Sequence, residues 1–189
     1  SKIEMAWNAI VSNASGDPNA RKLLKQRFCE SRWTRYSYAK YGYVRRSLAL
    51  PNPFHQVKLA RSIVDNWSDI ETVLNRSSIS SSKPVIGPFS RRALERKNTY
   101  SRFLEECLLV SYDSKYEVVT DISRFYPSLY THAIPWAVHS IPVAKANARD
   151  FTYFGNVLDR DVREGNSRQT FGIPIGPDTS LVLAELVLC

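Results

Sequence analysis

Asp121 ends a short β-branched run, Tyr116-Glu117-Val118-Val119-Thr120-Asp121-Ile122, and Ser123-Arg124-Phe125-Tyr126 follows at once. Packing gives no reason for a carboxylate there. An isolated buried charge is costly, so Asp121 is expected to be hydrogen-bonded or on a metal. Hard cations such as magnesium take carboxylate and backbone carbonyl oxygens, and one strand end supplies both. The same position also suits a helix N-cap or a turn aspartate. A second candidate is Gly172-Ile173-Pro174-Ile175-Gly176-Pro177-Asp178-Thr179-Ser180. Two glycines flanking a proline make a stiff loop whose backbone can approach a ligand closely, and it leads into a helix N-terminus, which favours phosphates. It lacks the Gly-Lys-Ser/Thr ending of a P-loop, and a plain connecting loop is the alternative.

The third candidate is a surface. Residues 21–46 hold nine bases, among them Arg27, Arg32, Arg35 and Lys40, and one acid, Glu30. The whole net charge of +8 therefore sits in that window. Phe28, Trp33, Tyr36, Tyr38, Tyr41 and Tyr43 are interleaved with the cations. Cations neutralise phosphates and flat rings stack on unpaired bases, so the mixture suits single-stranded or structured nucleic acid. A solvated helix face with its rings in the core reads equally well.

These groups need elements to hold them. Asp17-Pro18 can start a helix that carries the basic window and frays near Gly42. Pro51-Asn52-Pro53 breaks the chain. Val57, Ala60, Ile63, Val64, Trp67, Ile70, Val73 and Leu74 then recur at three- and four-residue steps, which predicts an amphipathic helix over 54–76 with Trp67 in the core. Residues 77–82 are a serine-rich connector, and Lys83 to Pro88 is extended or turning because each proline biases its predecessor away from the helix. Phe103, Leu104, Cys107 and Leu108 predict a short helix, and 116–122 a strand. Helices are expected from Pro127 to His139, over 144–164, and from Thr179, capped by Asp178, Thr179 or Ser180. The last would stop at Cys189, about 15 Å along, without a glycine, a basic turn or a cap, and so reads as cut.

Length and composition bound the class. The 189 residues suit one domain or one and a half, and 43% hydrophobic with 23% charged residues is ordinary for a chain with a real core. A spanning helix needs about 20 apolar residues, and no such run is present. Cys29, Cys107 and Cys189 make neither a disulfide framework nor a zinc site. These features predict a cytoplasmic protein with no membrane partner.

Taken together, Asp121 with Ile122 to Ser128, then Gly172 to Glu185 about fifty residues on, resemble motifs A and B of reverse transcriptases. The nearest flavour is the bacterial retron-like and abortive-infection, defence-associated group. The resemblance is strong over 116–140 and 165–189 and faint over 51–115. It implies an α+β right-hand polymerase: a basic helical region over 1–50, largely helical fingers over 51–115, and the first part of the palm over 116–189 with a small antiparallel sheet. Motif A would span 116–128 and motif B 169–185, with 141–168 a helical insertion packing toward the fingers.

By the same resemblance, the chemistry is two-metal phosphoryl transfer from deoxynucleoside triphosphates, with two magnesium ions as cofactors. Asp121 would be a metal ligand assisted by the Ile122 carbonyl. Ser123, Arg124 and Phe125 would lie near the triphosphate, and Tyr126 under the sugar, where a ring rejects a 2′-hydroxyl. Phe171, Gly172, Pro174 and Gly176 would line the incoming nucleotide. Lys83, Arg91 and Arg92 are candidate triphosphate cations, with a solvated surface as the alternative. The composition of the basic window, not the resemblance, makes Arg27, Arg32, Trp33, Arg35 and Lys40 candidates to contact an RNA template or non-coding RNA and the DNA product, and a homo-oligomer is a further expected partner. Relatives also include template-independent and protein-primed enzymes. Many reverse transcriptases carry glutamine before the first glycine; this chain has Phe171, with Gln169 two places earlier. The third family motif, Tyr-x-Asp-Asp, is absent from these residues, so this chain alone is expected to be inactive. A non-catalytic, polymerase-like RNA-binding or oligomer-scaffold module is the competing reading.

Overall fold

A computed structural model describes Met5 and residues 30–87 and 93–189. Arg27, Arg91, Arg92, Phe28 and the helix start at Asp17-Pro18 lie outside the described residues. The described part is mixed α and β. Strands β1 (Thr34–Ala39) and β2 (Arg45–Leu50) form one antiparallel pair, in register from Thr34 opposite Leu50 to Ala39 opposite Arg45. Strands β3 (Pro84–Val85) and β4 (Glu95–Arg96) form a second. The basic window is therefore a β-hairpin over its described part, not a helix. Thr34, Tyr36 and Tyr38 alternate with Arg35, Ser37 and Ala39, which is a strand period, and Gly42 at φ +70° turns the chain. The Lys40 amide closes the turn on the Val44 carbonyl at 2.9 Å.

The expected helix over 54–76 forms as two pieces, α1 (Pro53–Asp65) and α2 (Trp67–Leu74). Asn52 caps the first by accepting the Phe54 amide on Oδ1 at 3.0 Å, with Pro53 in the opening turn. Asn66 interrupts it: its side-chain amide reaches back to the Ser62 carbonyl at 2.8 Å and competes with the helix ladder. The kink buries Ile63, Ile70, Val73 and Leu74 and turns Val64 out to solvent.

Helix α3 (Tyr100–Ser111) starts on a Thr99 cap and buries none of its residues. The run 116–122, expected as a strand, forms no regular element and no ladder, with Val118 and Val119 exposed. A strand is stable only when a neighbour takes its N–H and C=O groups, and no described segment pairs with this one. Next come α4 (Phe125–Ser128), α5 (Ala133–His139), α6 (Ile141–Ala146) and α7 (Phe154–Glu164). The expected helix over 144–164 breaks because Asp150 Oδ1 accepts both the amide and the hydroxyl of Thr152, at 2.9 and 2.7 Å, holding a turn between α6 and α7.

Helix α8 (Asp178–Leu188) follows Pro177, with no side-chain cap. Apolar nearly all round, it is buried, packing on α1, α2 and α5. Its Val182, Leu183 and Leu186 join Ile63, Ile70, Ile134, Leu158, Val162 and Ile173 in one core. Helix α7 packs on both α1 and α5, and it approaches α5 so closely that a Cβ on Gly155 would sit 2.9 Å from Pro135 Cα. No helix among the described residues is long and apolar enough to cross a membrane.

Candidate functional site

The two sequence motifs meet. Three backbone hydrogen bonds tie the chain after Asp121 to the glycine-proline loop: Ile173 N–H to Tyr126 O at 2.9 Å, Gly172 N–H to Leu129 O at 2.8 Å, and Thr131 N–H to Thr170 O at 2.8 Å. Tyr130 and Phe171 form an antiparallel bridge between them. Gly172 has φ +87°, and a Cβ there would lie 3.1 Å from the Pro127 carbonyl oxygen, so only glycine fits both conformation and space. Gly176 has φ +133°, where an L side chain is strained. Ile173 and Pro174 are buried, which anchors the loop's middle in the core.

The hairpin is fastened to the same loop, because the Ala49 N–H donates to the Ile175 carbonyl at 2.9 Å. This brings Arg46 toward Tyr126. Tyr126 is half-buried against the core, with Phe125 edge-on at 5.8 Å. Burial pushes its phenol above the ordinary value; Arg96 pulls it back, buried Glu185 adds to the rise, and Arg46 opposes. Arg46 and Arg96 are thus cations whose field reaches this ring. Sequence reasoning passed over both as site groups. Arg96 lies opposite Pro84, and the Lys83 carbonyl just before β3 accepts the Lys97 amide at 2.8 Å. Lys83 itself acts on Cys189, at the C-terminal end of α8.

Asp121 is exposed and precedes a turn in which the Ile122 carbonyl accepts the Phe125 amide at 3.3 Å. Ser123 and Arg124 are exposed. Arg124 holds the left-handed φ of +56° as it enters α4, a conformation that costs a non-glycine residue of order 1 kcal/mol. Asp121 and Ile122 offer one carboxylate and one carbonyl. Among the described residues no group of three or more His, Cys, Asp or Glu side chains is placed to hold a metal ion. By themselves these residues do not fit two magnesium ions.

Arg32, Arg35 and Lys40 are exposed at the hairpin. Trp33 is not: it is 7% exposed and lines a small cavity with Pro51, His55, Leu59 and Pro174, so its ring is not open to a base.

Two buried aspartates on α7 organise the surroundings. Asp161 meets Lys58 of α1 at 3.1 Å, Arg160 at 3.0 Å and the Ser62 hydroxyl at 2.6 Å. Asp159 meets His132 Nδ1 at 2.9 Å and Arg163 at 3.1 Å. In sequence they read as a charged helix; only their spacing from Leu158 and Val162, two core residues, hinted at burial. Compared with known proteins, this chain matches no protein-family model and no curated protein.

Proposed function

We propose that this chain is the nucleotide-gripping part of a reverse-transcriptase-like, RNA-directed DNA polymerase of a bacterial antiviral defence system. One observation supports the reading most: two motifs about fifty residues apart in sequence are zipped by three backbone hydrogen bonds into one site. In this reading Tyr126 lies under the sugar and its ring excludes a 2′-hydroxyl. The Gly172 to Gly176 loop lies against the base of the incoming nucleotide, its glycines letting the backbone come close. Arg46, Arg96 and Arg124 face the triphosphate, where guanidinium groups pair with phosphate oxygens in a fork. Asp121 would be the one carboxylate that this stretch offers to a metal. The right-hand arrangement, with 51–115 as fingers and 116–189 as palm, belongs to this proposal.

The test is deoxynucleotide incorporation by the full-length protein. Asp121→Ala is expected to lower it on the order of a thousandfold. An unchanged rate would overturn the proposal. A second reading, a non-catalytic polymerase-like module that holds RNA, is favoured by the exposed hairpin with its Tyr36, Tyr38 and basic side chains. It predicts RNA binding that survives Asp121→Ala in a protein that incorporates nothing before or after the change.

A further inference from the structure

Beside the glycine-proline loop lies a group of rings. Tyr130 is at its centre: its ring centroid is 5.0 Å from the His132 imidazole, 5.5 Å from Trp136 and 5.2 Å from Phe171. Tyr130, His132 and Trp136 come from the approach to α5 and its first turns, and the Tyr130–Phe171 bridge brings in the fourth ring. Phe171 is 63% exposed, one residue before a glycine whose conformation is fixed. The others are half-buried and held in place. His132 is pinned by Asp159, itself paired with Arg163. Lys145 of α6 sets its ammonium 5.8 Å over the Trp136 ring, and Arg149 is exposed just beyond.

Phe171 lies at 42° to Tyr130 and Tyr130 at 59° to Trp136, so the rings share no plane, and the open apolar face is that of Phe171, backed by the others. Unpaired nucleobases stack on such surfaces whatever their sequence, whereas a duplex hides its base faces. A cation over the neighbouring ring is where the strand's phosphate would fall. A proline-rich peptide also docks on aromatic grooves, but it carries no charge for Lys145 and Arg149 to meet.

We propose that Tyr130, Trp136 and Phe171 form a stacking platform for a single-stranded nucleic acid, with Lys145 taking an adjacent phosphate. Phe171 carries the base; Tyr130 positions it, and Trp136 holds the Lys145 ammonium over its ring. The inference rests on the polymerase reading only for the strand's use as a template. Binding is therefore measured without metal or nucleotide, so that its failure and the failure of that reading are seen separately.

The test uses the full chain and fluorescence anisotropy with short labelled single strands of RNA and DNA, and with the matching duplexes. Phe171→Ala is expected to weaken single-strand binding about tenfold and to leave duplex binding unchanged. Phe171→Trp, which keeps a ring, is expected to retain parental affinity. Lys145→Gln should lower the log–log salt slope for single strands by about 0.7, the value for one phosphate no longer neutralised. Because Phe171 is exposed, its alanine variant should melt like the parent, and parental single-strand affinity in that folded variant overturns the proposal. Equal weakening on single and double strands, which would mean charge without stacking, also overturns it. So does a proline-rich peptide that binds in a Phe171-dependent way when single strands do not bind.

Discussion

A methyl group on Gly172 would meet the Pro127 carbonyl oxygen at 3.1 Å while the backbone holds φ at +87°. Gly172→Ala is therefore expected to cost about 2 kcal/mol, read as a lower urea midpoint, and to loosen the bond to Leu129 O. Tyr126 makes a different prediction. If the proposed polymerase activity holds, Tyr126→Ala should lower discrimination against ribonucleotides about 10- to 100-fold, while Tyr126→Phe, which keeps the ring, should preserve it. Unchanged selectivity in the alanine variant would remove Tyr126 from the sugar's side of the site. At this scale the sequence is informative about backbone. Glycine, proline and a capping asparagine act through their own chemistry, so the bend at Gly172 and the start of α1 at Asn52 can be read directly. The cations at Tyr126 cannot, because the approach of Arg46 and Arg96 depends on two hairpins whose partners lie elsewhere in the chain.

The buried charges belong to the helices that carry them. Asp161 joins α7 to α1, and Asp161→Ala would leave the Ser62 hydroxyl unpartnered and Arg160 without its carboxylate, while Lys58 keeps Glu164. Lys58 and Arg160 keep some access to water, which limits the loss to about 2 kcal/mol in thermal or chemical denaturation. The junction of α5 and α7 carries a pH dependence. His139 Nε2 accepts the Gly155 amide at 3.1 Å, so the ring is held neutral there, and burial sets its pKa below the usual 6.5. Burial does the same to His55. The unfolded chain thus takes up protons first as pH drops. Stability should be full above about pH 6.5 and decline below it until the folded-state values are passed. Denaturant midpoints at neutral and mildly acidic pH check this, and His139→Gln, which keeps an acceptor and does not titrate, should flatten the dependence. Periodicity locates α7 and both halves of the 54–76 region. It misses the breaks at Asn66 and Asp150, where one polar side chain captures a backbone group, and it misses β1–β2, because a basic, aromatic stretch satisfies helical and alternating patterns alike.

Across the whole molecule the positive charge is lopsided, and the described part of the basic window stands out as a ribbon. If that ribbon holds nucleic acid, replacing Arg32, Arg35 and Lys40 with glutamine should reduce the salt slope of RNA affinity by about 0.7 for each phosphate set free. An unchanged slope returns these residues to solvent. The ribbon's root matters as much as its tip. Its backbone tie to the glycine-proline loop, from Ala49 to Ile175, lies next to Gly176. A load taken at the tip is thus delivered, through that amide, to the loop one residue before its second glycine. Deuterium uptake at Ala49 and at Ile173 should slow together when RNA is added, the signature of a lever and its fulcrum stiffening as one piece.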